Sequence, residues 1–156
     1  MQVNSFMSAC FPAKLDAFVF GWNMQVRPKM SYFIDELVKV IPRVLNQMSM
    51  RYLEIKQDQF ESIVKAASQV EELTLNTCVL MTDTECDFTS DKEYKTTLLN
   101  LRYCGRPSES DWGTKPARLE NILKGIANCS LKDSLQCIQI GDSCPVNIAS
   151  INEMME

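Results

Sequence analysis

Residues 70–80, VEELTLNTCVL, limit the folds open to this chain more than any other stretch. Apolar side chains stand at Val70, Leu73 and Leu75, a cysteine follows at Cys78, and Leu80 closes the run. Leu73 and Leu75 alternate with polar neighbours, as in a strand buried on one face. No Gly or Asn-Gly turn follows to bring the chain back as a hairpin. The strand must therefore find its sheet neighbours in distant parts of the chain.

The same offsets recur. Leu15, Phe18, Phe20 and Asn23 form one set, and Met50, Leu53, Ile55, Asp58 and Phe60 a second. Leu99, Leu101 and Cys104 follow with Thr96 in the first slot, and Leu135, Ile138, Ile140 and Ser143 complete the series. Between these segments the period becomes helical. Phe33, Ile34, Leu37, Val38 and Ile41 form one stripe, Phe60, Ile63, Val64 and Ala67 a second, and Leu119, Ile122, Leu123 and Ile126 a third. Ser31 is placed to cap the first helix and Pro42 to end it, and Pro116 suits the first turn of the last. Residues 81–95 and 105–115 carry neither period and read as solvated loops.

Residues 70–80 match the whole pattern L-x-x-L-x-L-x-x-N/C-x-L, and the chain resembles the leucine-rich repeat family. The resemblance implies an α/β fold: a short curved solenoid with parallel strands on its concave side and helices on its convex side. It implies one domain over residues 1–156, with 1–12 as an N-terminal cap or partner-binding segment and 145–156 as a C-terminal tail. Each strand would then pair with those of adjacent repeats, and Cys78 would fill the Asn/Cys slot as an architectural residue. The sequence departs from the pattern at Asp58 and Ser143, and the strand cores at Phe18, Leu53, Leu73, Leu99 and Ile138 are unevenly spaced.

Composition narrows the chemistry. Histidine is absent from all 156 residues, which removes Ser-His and Cys-His nucleophile pairs, histidine bases and His-containing zinc sites. The seven cysteines include no CxxC pair. The acidic run Asp83, Glu85, Asp87 lacks the spacing and central glycine of a calcium loop. Neither GxGxxG nor GxxxxGK[ST] occurs. No catalytic residue, cofactor, metal or small-molecule substrate is expected. The net charge of −4 and the scattered Lys and Arg residues disfavour nucleic acid. No apolar run reaches membrane-spanning length and no secretory pattern opens the chain, so the expected compartment is intracellular and reducing, cytoplasmic or mitochondrial.

In the register of the resemblance, residues between the apolar slots face outward on the sheet. Trp22, Tyr52, Glu54, Lys56, Glu72, Asn100, Arg102 and Tyr103 are the candidate partner-binding residues, aromatic and Arg side chains being those that dominate interfaces. The competing reading is a plain solvated sheet face. Ala17 and Val19 lie outward while Phe18 and Phe20 lie inward, so the first strand is expected to be covered on both faces, and Cys86 to be exposed in its loop. The expected function is a non-enzymatic protein-protein interaction or scaffold module, an accessory subunit of a larger assembly. The alternatives are a substrate-recognition module of the F-box/leucine-rich-repeat type, for which no F-box segment is present, and a small α/β enzyme without a recognisable motif.

Overall fold

The computed structural model describes residues 13–21, 31–102, 104–106, 115–116, 119–140 and 146–147. They form a mixed α/β structure with a mostly parallel sheet. Strands β1 (Leu15–Gly21), β2 (Val44–Arg51), β4 (Glu72–Asn76), β6 (Leu98–Arg102) and β9 (Cys137–Ile140) lie side by side in chain order, each parallel to the next. A short β10 (Val146–Asn147) closes the far edge antiparallel to β9. A second sheet takes β3 (Glu54–Lys56), β5 (Val79–Met81) and β7 (Gly105–Arg106) in parallel, and β8 (Lys115–Pro116) antiparallel to β7. Helices α1 (Ser31–Val38), α2 (Gln57–Ala66), α3 (Leu119–Ala127) and the short α4 (Leu131–Ser134) fall between strands.

One apolar core joins helices to sheet. Ile34 and Leu37 of α1, Phe60 and Ile63 of α2 and Ile122 and Ile126 of α3 are buried in one cluster with Met48, Met50, Leu73, Leu75, Leu99 and Leu101. All three expected helical stripes therefore meet the strand slots. Pro42 sits in a 3-10 turn (Ile41–Arg43) that leads straight into β2. At the start of α2, the Gln59 side-chain carbonyl accepts from the Lys56 backbone N–H at 3.3 Å, half of a capping box. The Gln59 amide donates to Asp35 Oδ1 at 3.2 Å and so ties α2 to α1. Pro116 belongs to β8, paired with Gly105, and not to the first turn of a helix, which begins at Leu119.

The second strand lies five residues earlier than its sequence pattern suggests. Met48 pairs with Leu73 and Met50 with Leu75, so Met48, Met50, Leu53 and Ile55 hold the places that Leu73, Leu75, Cys78 and Leu80 hold in the next turn, while Leu45, at the offset of Val70, is exposed. Leu53 takes the cysteine slot, and Asp58 has no place in the series. With this register Met48, Leu73 and Leu99 fall 25 and 26 residues apart, while Phe18 to Met48 and Leu99 to Ile138 still span 30 and 39. Tyr52 and Thr77 then become equivalent, and both adopt positive φ, 58° and 53°. Each follows its strand and turns the chain from the first sheet into the second. The left-handed region is costly for side chains of this size, and the ladder helps to hold both. The Tyr52 N–H donates to Asn76 O at 3.2 Å and the Thr77 N–H to Arg102 O at 2.9 Å.

Residues 82–97 are not a solvated loop. Phe88 is fully buried and meets Phe60 edge-on at 5.5 Å, and Cys86, Tyr94 and Thr96 are buried with it. The Tyr94 hydroxyl donates to Phe88 O at 2.6 Å, and the Thr96 hydroxyl to Ala67 O at 3.1 Å. The latter bond explains how a threonine fills an apolar slot. Gln57 accepts from the Thr84 N–H, Glu61 from the Asp87 N–H, and Gln69 donates to Glu93 O, so side chains of α2 and its C-terminal turn satisfy a backbone without regular structure.

Residues 1–12, expected with a partner protein as the possible cover of the first strand, lie outside the described residues. Val19 is 66% exposed, and Phe18 and Phe20 are only half-buried, whereas their counterparts Met48, Met50, Leu73 and Leu75 are buried. Phe20 stacks on Phe33 of α1 at 4.8 Å, which supplies part of the missing cover. Among the described residues no helix is long and apolar enough to cross a membrane.

Candidate functional site

Strand alternation places three rows of side chains on the sheet face turned away from the helices. In the first row Ala17, Gln47, Glu72, Leu98 and Cys137 are in register, and in the second Val19, Ser49, Thr74, Asn100 and Gln139. The third holds Gly21, Arg51, Asn76 and Arg102. The inward neighbours of these residues form the core, so the rows are outward by the two-residue period of the strand.

Chemistry differs along the rows. At the N-terminal ends of the strands the Gln47 amide donates to Glu72 Oε2 at 3.0 Å, which holds the carboxylate by a cross-strand bond. The middle row is uncharged. Asn100 Oδ1 is shielded from solvent and has no hydrogen-bond partner among the described residues. Val19 gives this row an apolar edge. At the C-terminal ends two exposed guanidiniums, Arg51 and Arg102, flank Asn76, whose Oδ1 accepts from the Thr77 hydroxyl at 2.8 Å.

Of the residues expected to bind a partner, Glu72, Asn100 and Arg102 share this face. Tyr52, Glu54 and Lys56 do not: Tyr52 is the left-handed turn residue, Glu54 lies in β3 of the second sheet, and Lys56 ends β3 and opens α2. Trp22 and Tyr103 lie outside the described residues, as do residues 1–12 and most of the expected tail. Gln47, Ser49 and Arg51 were missed because the second strand was placed five residues late. The methionines Met48 and Met50, in the slots above Leu53 and Ile55, are the signal that identifies them.

Cys78 and Cys104 are buried in the core. The Cys78 thiol donates to Met50 O at 3.7 Å, and the Cys104 thiol to Leu75 O at 3.2 Å, each reaching the strand of the preceding turn. The hydrogen bond with Cys78 and burial push the Cys104 thiol well above its usual range. No described cysteine is in a disulfide, and no three Cys, Asp or Glu side chains among the described residues are grouped to hold a metal ion. Cys86 packs against Gly125, where an added Cβ would fall 2.5 Å from Cys86 O. Burial, then the nearby Glu61 and Glu85 carboxylates, push the Cys86 thiol up to about 12 from 9.0. That leaves about a thousandfold less thiolate at pH 8 than an ordinary cysteine carries. Native protein at pH 8 should therefore leave Cys86 unmodified by iodoacetamide over a period that fully labels the urea-unfolded chain, as peptide mass mapping would read. The raised thiols also favour the folded state below pH 9, and that contribution is lost as pH climbs toward 12. Rapid native labelling of Cys86 would contradict the packing of residues 82–97.

A groove of about 540 Å³ on the helix side is lined by Val38, Pro42, Ser62, Lys65, Ala66, Thr89, Ser90, Asp91 and Lys92. Its charges are mixed, and Lys65 already approaches Asp87 at 3.6 Å. The outward sheet face is the better candidate because its three rows are set by one continuous ladder.

Comparison of the chain with protein-family models, curated proteins and solved structures gives no match.

Proposed function

We propose that this chain is a non-enzymatic protein-interaction module, a short leucine-rich-repeat-like solenoid that serves as an accessory subunit of a larger assembly and binds through its outward sheet face. The observation that carries this reading is the in-register middle row Val19, Ser49, Thr74, Asn100 and Gln139. It crosses five strands with small and amide side chains and no charge, a surface that a protein can approach closely. Two further features support it. Strand order follows chain order across the described strands, whereas a doubly wound α/β enzyme places its site where strand order reverses. The Asn/Cys slot of the repeat pattern holds Cys78 and Cys104, both bonded to the preceding strand.

Size-exclusion chromatography of native extract tests the proposal. The wild-type chain is expected to elute far above its 17.8 kDa, in a stoichiometric complex. Thr74→Arg, which places a long charged side chain at the centre of the middle row, should shift the chain to the monomer position while circular dichroism stays unchanged. Elution of wild type as a free monomer, or an undisturbed complex with folded Thr74→Arg, would overturn the proposal.

A further inference from the structure

We infer that Asn100 is the hydrogen-bonding anchor of the sheet face, its side-chain carbonyl oxygen accepting a neutral N–H from an extended segment of the partner protein; this rests on the sheet-face reading above and names the group it recognises.

Asn100 lies on β6 in the middle row, in register with Thr74 of β4 on one side and Gln139 of β9 on the other. Its side chain is half-buried, and Oδ1 is shielded from solvent yet accepts no hydrogen bond. Neither neighbour supplies the missing donor. A shielded acceptor without a donor destabilises the chain that carries it, and an apolar side chain of the same shape would avoid that cost. Asn100 therefore fits a residue kept for contact at some expense to folding. Thr82 Oγ1, also shielded and unpaired, belongs to a residue only 1% exposed and out of a partner's reach, whereas Asn100 stands on the outward face.

The donor is uncharged. Val19, Ser49, Thr74, Asn100 and Gln139 include no carboxylate to balance a cation brought into the row, and the Glu72 carboxylate one row away is held by Gln47. An extended protein segment carries unpaired main-chain N–H groups along its length, and the small Ser49 and Thr74 side chains on the neighbouring strands let its backbone come close. The Asn amide turns about a broad terminal torsion, which brings Oδ1 to a donor arriving from outside.

The full chain is the sample. In urea unfolding followed by circular dichroism, Asn100→Leu, close in shape and without polar side-chain atoms, is expected to match or exceed wild type in stability, because it removes the unpaired acceptor. In native extract the same variant should weaken the complex by about tenfold or more, the size expected when the partner's donor is left unpaired. NMR of the isolated chain reads the donor's chemistry. N-methylacetamide, which carries the N–H of a peptide group, should shift the Asn100 side-chain carbonyl signal, and N,N-dimethylacetamide, which lacks it, should not. A marked loss of stability in Asn100→Leu, or equal responses to the two probes, none included, would overturn the anchor. In native extract, a complex that survives Asn100→Leu but not Thr74→Arg would overturn the anchor while leaving the sheet-face reading intact. A complex indifferent to both would overturn that reading itself.

Discussion

Phe88→Ala will lower the unfolding free energy by about 3–5 kcal/mol, the range for removing a fully buried aromatic ring. Phe88 is the anchor of residues 82–97 and the edge-on partner of Phe60. Its backbone carbonyl also receives the Tyr94 hydroxyl, so a shift at residue 88 strands a buried phenol. Urea unfolding followed by circular dichroism measures the loss, and Thr89→Ala, one residue along and exposed, should cost less than about 0.5 kcal/mol. Equal small effects at both positions would mean that this segment is a solvated loop after all.

Leu73→Ala will cost about 2–5 kcal/mol through the cavity it leaves between Met48 and Leu99, while Thr74→Ala on the opposite face should change stability by less than about 0.5 kcal/mol. The contrast is a direct measure of register, because a one-residue slip exchanges the two faces. The same denaturation experiment reads it. Comparable losses at both sites would contradict the placement of Thr74 among outward residues.

The parts legible in the sequence were those in which a strand period and a helix period both had something to bury. At Leu73 and Leu75 polar neighbours set the apolar residues off, and Leu99 and Leu101 repeat that spacing beside the apolar Leu98; these strands lie where the pattern places them. The second strand was obscured because two overlapping runs offer apolar residues at the same offsets. Leu53 and Ile55 look more strand-like than Met48 and Met50, methionine being a weak strand signal, yet the longer ladder forms on the methionines and leaves Leu53 and Ile55 to the turn and β3.

Residues 82–97 were illegible for a different reason. Their anchors Cys86, Phe88 and Tyr94 belong to none of the strand or helix stripes, and their backbone is satisfied by Gln57, Glu61 and Gln69 from α2 and the turn after it, which no local pattern encodes. The candidate site inherits both kinds of outcome. Glu72, Asn100 and Arg102 could be placed on the outward face, whereas Arg51 could not until the second strand was set, and Tyr52, Glu54 and Lys56 fell away with the same correction. Val19 lies outward, as the strand period places it. Its exposure follows from its place in the edge strand, which has no described neighbour on its far side.

Binding through the sheet face is tested most directly by photo-cross-linking in native extract, with p-benzoylphenylalanine placed at Val19, the exposed edge of the middle row, in one sample and at Lys65, on the helix side, in another. The account predicts a discrete partner adduct from position 19 and none from position 65. Adducts from position 65 alone, or from neither, would contradict it.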